Sequence, residues 1–95
     1  MPAYLIARVN VTNPEKYKNY TALSPAAIAA FGGKFLARGG ETETLEGDEE
    51  NNRMVVVEFE NMDKARQFYH SDQYSAARAE REGAAEGQFI IVEGI

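Results

Sequence analysis

Met54-Val55-Val56-Val57-Glu58-Phe59, followed after Glu60 by Asn61 and the run Met62 to His70, decides the fold. The first six residues are mostly β-branched or aromatic, the composition of a strand. Val55, Val57 and Phe59 fall on one face, and Met54, Val56 and Glu58 on the other. Asn61 is placed to cap a helix from Met62 to His70, with Met62, Ala65, Phe68 and Tyr69 on its inner side. A strand thus runs straight into an amphipathic helix.

Working outward, Ser71 or Asp72 can cap a second short helix through Glu82, stopped by Gly83. Gln88 to Glu93 then reads as the last strand, with Phe89, Ile91 and Glu93 against Ile90 and Val92. Upstream, Glu41 to Asn52 is polar and acidic and reads as a strand end plus hairpin loop. Before it, Phe35 to Arg38 is a short strand closed by Gly39-Gly40. Tyr4 to Val11 alternates, with Leu5, Ala7, Val9 and Val11 opposite Tyr4, Ile6, Arg8 and Asn10. Thr12 and Glu15 have capping-box spacing, and Pro14 suits a first helical turn. A helix through Tyr17, Tyr20, Ser24, Ala27, Ile28 and Phe31 follows and stops at Gly32-Gly33. Pro25 lies inside it and is expected to kink or split it.

The order is strand, helix, strand, strand, helix, strand, the βαββαβ arrangement of the ferredoxin-like α+β fold. It predicts a single domain over residues 1–95, with a four-stranded antiparallel sheet and its helices on one face. The uncovered face should be polar in a monomer. Here both faces carry apolar side chains, with Tyr4 and Ile6 opposite Leu5 and Val9, Met54 and Val56 opposite Val55, Val57 and Phe59, and Ile90 and Val92 opposite Phe89 and Ile91. A second copy packed sheet against sheet, a homodimer, is the expected cover. Singly scattered surface hydrophobes on a monomer are the plainer alternative.

The chain has 15 acidic and 10 basic residues and a formal net charge of −5. That balance disfavours nucleic acid as a partner. There is no cysteine, so disulfides, thiolate nucleophiles and cysteine-based metal centres are excluded. No apolar run approaches the roughly 20 residues of a membrane helix, and Met1-Pro2-Ala3 leads into a strand without a signal-peptide core. The expectation is a cytoplasmic protein with no membrane partner. Gly32-Gly33 and Gly39-Gly40 lack the order of a nucleotide-binding loop, and Glu46 to Asn52 lacks that of a calcium loop.

Several motifs taken together carry a resemblance. They are Pro2-Ala3-Tyr4, Tyr17-x-x-Tyr20, Gly32 to Gly40, Leu45-Glu46-Gly47, Val56-Val57-Glu58-Phe59, Phe68 to Tyr74, Arg78 and Val92-Glu93-Gly94. On these the chain resembles the domain-of-unknown-function 1330 family of the dimeric α/β-barrel superfamily, over nearly its whole length. Phe68-Tyr69 stands where that family usually has Trp-Tyr. The resemblance implies a two-fold dimer whose sheets pack into a barrel, and it implies no particular activity. Related families on the same scaffold resemble cofactor-free monooxygenases, lactone isomerases and haem-degrading enzymes, an analogy at the level of fold.

The expected function is to bind a small, partly apolar organic molecule, anions included, in the cleft between helices and sheet. Cofactor-free proton transfer, as in an isomerase or monooxygenase, is the enzymatic version. A non-catalytic structural or regulatory dimer is the alternative. No metal and no cofactor are expected. Tyr20, Tyr69 and Tyr74 offer apolar walls with one hydroxyl each, and Tyr17 belongs to the same group. Arg38 and Arg78 are the candidate cations for the ligand. Glu58 and His70, the only histidine, are the candidate bases. Against these readings stand an interface pair or network in which Arg38 and Arg8 answer Glu58 or Glu93, core and interface packing for the tyrosines, and a helix-end cap for His70.

Overall fold

A computed structural model describes residues 1–95. The elements are β1 (Ala3–Val11), α1 (Pro14–Ala30), β2 (Lys34–Arg38), β3 (Arg53–Phe59), α2 (Met62–His70), α3 (Asp72–Arg81) and β4 (Ala85–Glu93). The strands form one sheet in the order β2-β3-β1-β4, and every neighbouring pair is antiparallel. This is the ferredoxin-like α+β fold, with the second helix broken into α2 and α3.

The alternation in β1 sets the two faces of the sheet. Ala3, Leu5, Ala7 and Val9 are buried against the helices. Register carries the same face across to Val55, Val57 and Phe59 on β3 and to Phe89 and Ile91 on β4. The helices answer with Tyr20, Ala27 and Ile28 from α1, Ala65 and Phe68 from α2, and Tyr74 and Ala77 from α3. These side chains form one continuous core.

Side-chain caps fix where each helix starts. The Asn61 Oδ1 accepts from the Lys64 amide at 2.8 Å. For α1 the cap is Asn13, whose Oδ1 accepts from the Lys16 amide at 3.2 Å, rather than Thr12. Pro14 then occupies the first helical turn, where its missing N–H costs nothing. Ser71 joins the last two helices. Its hydroxyl donates to the Phe68 carbonyl at 2.7 Å and accepts from the Tyr74 amide at 3.1 Å. One side chain thus ends α2, begins α3 and sets Tyr74 against Phe68.

Two segments differ from the expectation. Pro25 does not split α1, which runs unbroken from Pro14 to Ala30. A proline inside a helix costs about 3 kcal/mol. Here Tyr20 and Ser24 before it and Ala27 and Ile28 after it are all buried on one core, which keeps both halves in a single helix. The last strand begins at Ala85, three residues early, because Ala85, Glu86 and Gly87 pair with Val11, Asn10 and Val9.

The helices leave the other face of the sheet bare. Ile6 lies between Val56 and Ile90, and Tyr4 between Glu58 and Val92. Ile90 and Val92 are each about half exposed, at 48% and 47%. On the same face Arg8 bonds Gln88 at 3.1 Å and Glu50 at 2.6 Å. The second contact ties down the acidic segment between β2 and β3. No helix is long and apolar enough to cross a membrane.

Candidate functional site

Between α1 and the sheet lies a cavity of about 30 Å³. That is room for about two water molecules. Its walls are mainly apolar and come from all four strands and all three helices. Its polar groups are the hydroxyls of Tyr17, Tyr20, Thr21, Ser24 and Tyr74 and the guanidinium groups of Arg38 and Arg53. No carboxylate and no imidazole lines it.

The tyrosines meet inside. The Tyr20 and Tyr74 hydroxyls are 2.6 Å apart in a buried hydrogen bond. Their rings meet edge to face at a centroid distance of 6.1 Å, and Tyr17 lies 5.2 Å from Tyr20. One phenol of the hydrogen-bonded pair must donate to the other. The second proton is then left over and can serve an oxygen in the cavity. Burial, reinforced by the neighbouring Tyr74 hydroxyl, pushes the Tyr20 phenol far above its ordinary range. Burial also raises Tyr17, while the charges of Arg53 and Arg81 pull it back. At neutral pH Tyr20 is therefore a proton donor and not a base.

Arg38 ends β2 and Arg53 begins β3, so the two cations flank the start and finish of the acidic segment. The Arg38 guanidinium rests 4.6 Å from the Phe35 ring centroid. Arg53 packs over Gly39, where a Cβ would collide with its guanidinium. Gly39 has φ of +69°, a backbone state that side-chained residues avoid. The Arg53 Nε is buried and has no hydrogen-bond partner. Neither arginine forms an ion pair with a carboxylate. Both charges are therefore left without an acidic partner.

Tyr20, Tyr74 and Arg38 of the expected group thus share one cavity. Arg53 joins them without having been anticipated from the sequence. Arg78 does not line the cavity; its guanidinium stacks 4.5 Å from the Tyr69 ring. The α3 arginine that reaches the cavity wall is Arg81, 5.4 Å from the Tyr20 ring and 4.5 Å from that of Phe89. Glu58 points to the bare face of the sheet and pairs with Lys34 at 3.5 Å. His70 is exposed in the last turn of α2, with its ring 5.4 Å from that of Tyr69. Tyr69 and His70 line a second, outer groove of about 140 Å³ between α2 and β4. No cluster of side chains suited to a metal ion is present.

The model of a domain of unknown function, DUF1330, matches residues 2–95. No curated protein sequence matches the chain. A protein of unknown function from Rhodopseudomonas palustris is similar in structure, with a TM-score of 0.75 at 20% identity, covering 99% of this chain and 82% of its own. SnoaB, a cofactor-independent oxygenase from Streptomyces nogalater, superposes with a TM-score of 0.70 at 15% identity, covering 99% of this chain and 93% of its own. A dimeric ferredoxin-like protein of unknown function from Bacteroides fragilis gives a TM-score of 0.64 at 13% identity, covering 98% and 96%. At these identities the likeness shows the fold.

Proposed function

The chain belongs to the DUF1330 family of unknown function, and we propose that it binds a small, largely apolar organic anion between α1 and the sheet. A short-chain carboxylate, or a small enol taken up as its anion, has the required chemistry and suits a cavity of about 30 Å³. The observation that carries this reading is the cavity lining, which has two arginines free of carboxylate partners, a buried phenol pair and no acidic side chain. The anionic oxygens would meet Arg38 and Arg53, where a planar guanidinium matches a carboxylate. An oxygen at the inner end would take the remaining proton of the Tyr20–Tyr74 pair.

The same lining supports polarisation of a bound ligand more than removal of a proton from it. Phenol and guanidinium donors stabilise an enolate or phenolate oxygen, which lowers the ligand's own pKa. The released proton would pass to solvent, since no side-chain base lines the cavity. A ligand held as its anion is the starting point of cofactor-free oxygenation or isomerisation. The fold shared with a cofactor-independent oxygenase makes oxygen uptake the first turnover to assay. For assembly, the apolar bare face with Ile6, Val56, Ile90 and Val92 supports a homodimer packed sheet to sheet.

Calorimetric titration of the protein with acetate and propanoate tests the binding reading. Arg53→Met, which keeps the length and loses the charge, is expected to weaken binding by about tenfold to a hundredfold. Equal affinity in wild type and variant would refute it. Binding without oxygen uptake by a small enediol ligand would favour a non-catalytic carrier or regulator.

A further inference from the structure

The groove of about 140 Å³ between α2 and the edge strand β4 owes its size to one small residue. On α2 the side chain that meets the sheet here is Ala65, a single methyl. Beneath it Leu5 and Ile91 are cross-strand partners, and Phe89 stands two residues before Ile91 on the same face. Leu5, Phe68 and Phe89 line the inner cavity as well and separate the two spaces.

These walls are fixed. Phe68 is 1% exposed and packs on Tyr74 at a ring-centroid distance of 4.2 Å. The Phe89 ring is clamped by the Arg81 guanidinium at 4.5 Å, and Gly87 beside it leaves no room for a Cβ. A ligand therefore meets a preformed surface and orders little on binding. An apolar cavity of about 150 Å³ holds one benzene ring. The groove matches that size, and Phe68, Tyr69 and Phe89 give it aromatic walls.

Its mouth is basic. Arg66 and His70 lie one helical turn apart on α2, both exposed, and no carboxylate lines the groove. Arg66 pairs with Asp63 at 3.1 Å, and Glu93 is near Arg66 but outside the groove. The Arg66–Asp63 pair is solvent-exposed and hence weak, so the guanidinium can turn to a carboxylate held in the groove. Packing of a second copy on the bare face of the sheet would leave this groove open, because it lies on the helix side.

We propose that the groove is a second ligand site, distinct from the inner cavity, and that it takes a monocyclic aryl carboxylate. The ring lies against Ala65, Leu5 and Ile91, and the carboxylate meets Arg66 beside His70. The inner cavity, at about 30 Å³, cannot admit such a ring, so this site does not depend on the anion reading above.

His70 is the only histidine, so its ring Cε1–H gives a single, assigned proton NMR signal. Benzoate and benzyl alcohol, the same ring without the charge, are titrated into the wild type, Arg66→Gln, Ile91→Phe and Arg53→Met. Benzoate should shift the His70 signal saturably in the wild type, binding about tenfold more tightly than benzyl alcohol. Arg66→Gln, an exposed change that leaves the fold intact, should bring benzoate down to the level of benzyl alcohol. Ile91→Phe fills the groove and should abolish both shifts. Arg53→Met should leave benzoate unchanged, whatever it does to propanoate in the inner cavity. A His70 signal unmoved by benzoate overturns the proposal, as does a benzoate midpoint unchanged in Arg66→Gln or in Ile91→Phe. Benzoate binding lost in Arg53→Met would place the acid at the inner site and overturn it equally.

Discussion

Replacing Tyr74 by Phe removes one hydroxyl from a buried pair and strands the other. The Tyr20 hydroxyl, 2.6 Å away, then has no partner in a residue that is only 7% exposed. A buried polar group left without a hydrogen bond costs about 1–3 kcal/mol. The adjoining cavity of about 30 Å³ can admit a water to the stranded oxygen, which places the cost near the lower end, about 1–1.5 kcal/mol. Tyr20→Phe strands Tyr74 in the same way, at 1% exposure. The double variant strands nothing, because both partners become apolar together. It should therefore cost much less than the sum of the singles, with a coupling of about 1 kcal/mol or more. Urea denaturation of the four proteins measures this directly. For a domain of this size each single change should also lower Tm by about 4–8 °C per kcal/mol. Costs that add within about 0.3 kcal/mol would refute the pair as an energetic unit.

Two further outcomes follow from the same geometry. The Tyr17 and Tyr20 phenols are held above the ordinary value of 10.0 by burial. Above pH 10 the unfolded chain releases protons that the folded protein keeps, so stability is fully present below pH 10 and falls as pH rises beyond it. The slope is up to about 1.4 kcal/mol per pH unit for each tyrosine. Denaturation midpoints at pH 8 to 11 check this, and a flat profile, or one unchanged in Tyr20→Phe, would contradict it. Ile90→Lys puts a charge on the bare face beside Ile6. Light scattering should find a dimer in the wild type and a monomer in this variant, and a dimer in both would remove the sheet face as the interface.

Much of the fold is written in local pattern, and the exceptions have identifiable causes. The period-two runs around Leu5 and Val57 place the strands and their buried face correctly, because one face of each is packed on helices. Asn61 and Ser71 announce their helices by chemistry that acts within three residues. Pro25 does not split α1 because the local penalty is opposed by burial on both sides of it, which is tertiary information. Ala85 to Gly87 fall outside the apolar run that marks the last strand, yet their backbone is held by β1, far away in sequence.

The site was legible where an aromatic residue marked it and illegible where helical phase decided. Tyr20 and Tyr74 stand out as tyrosines on elements that must face each other. Arg53 follows an acidic run and carries no local signal of a site; its place against Gly39 comes from the hairpin geometry. Arg78 and Arg81 are both on α3, and only the rotation set by the Ser71 break sends Arg81 to the cavity wall and Arg78 to Tyr69. Glu58 reads as a charge in apolar surroundings, and the register shows those surroundings to be the bare face, with Lys34 beside it.

The strand order carries one more consequence. β1 and β2 precede the acidic segment, and β3 and β4 follow it. The three ladders are β2 with β3, β3 with β1, and β1 with β4. Each of them joins a strand from before the segment to one from after it. A single cut between Gly40 and Asn51 would leave two fragments with no strand pair in either one. Neither piece could build any sheet alone, and mixing them would restore all three ladders at once. The protein is thus laid out as two complementary halves whose folding and whose recombination are the same event.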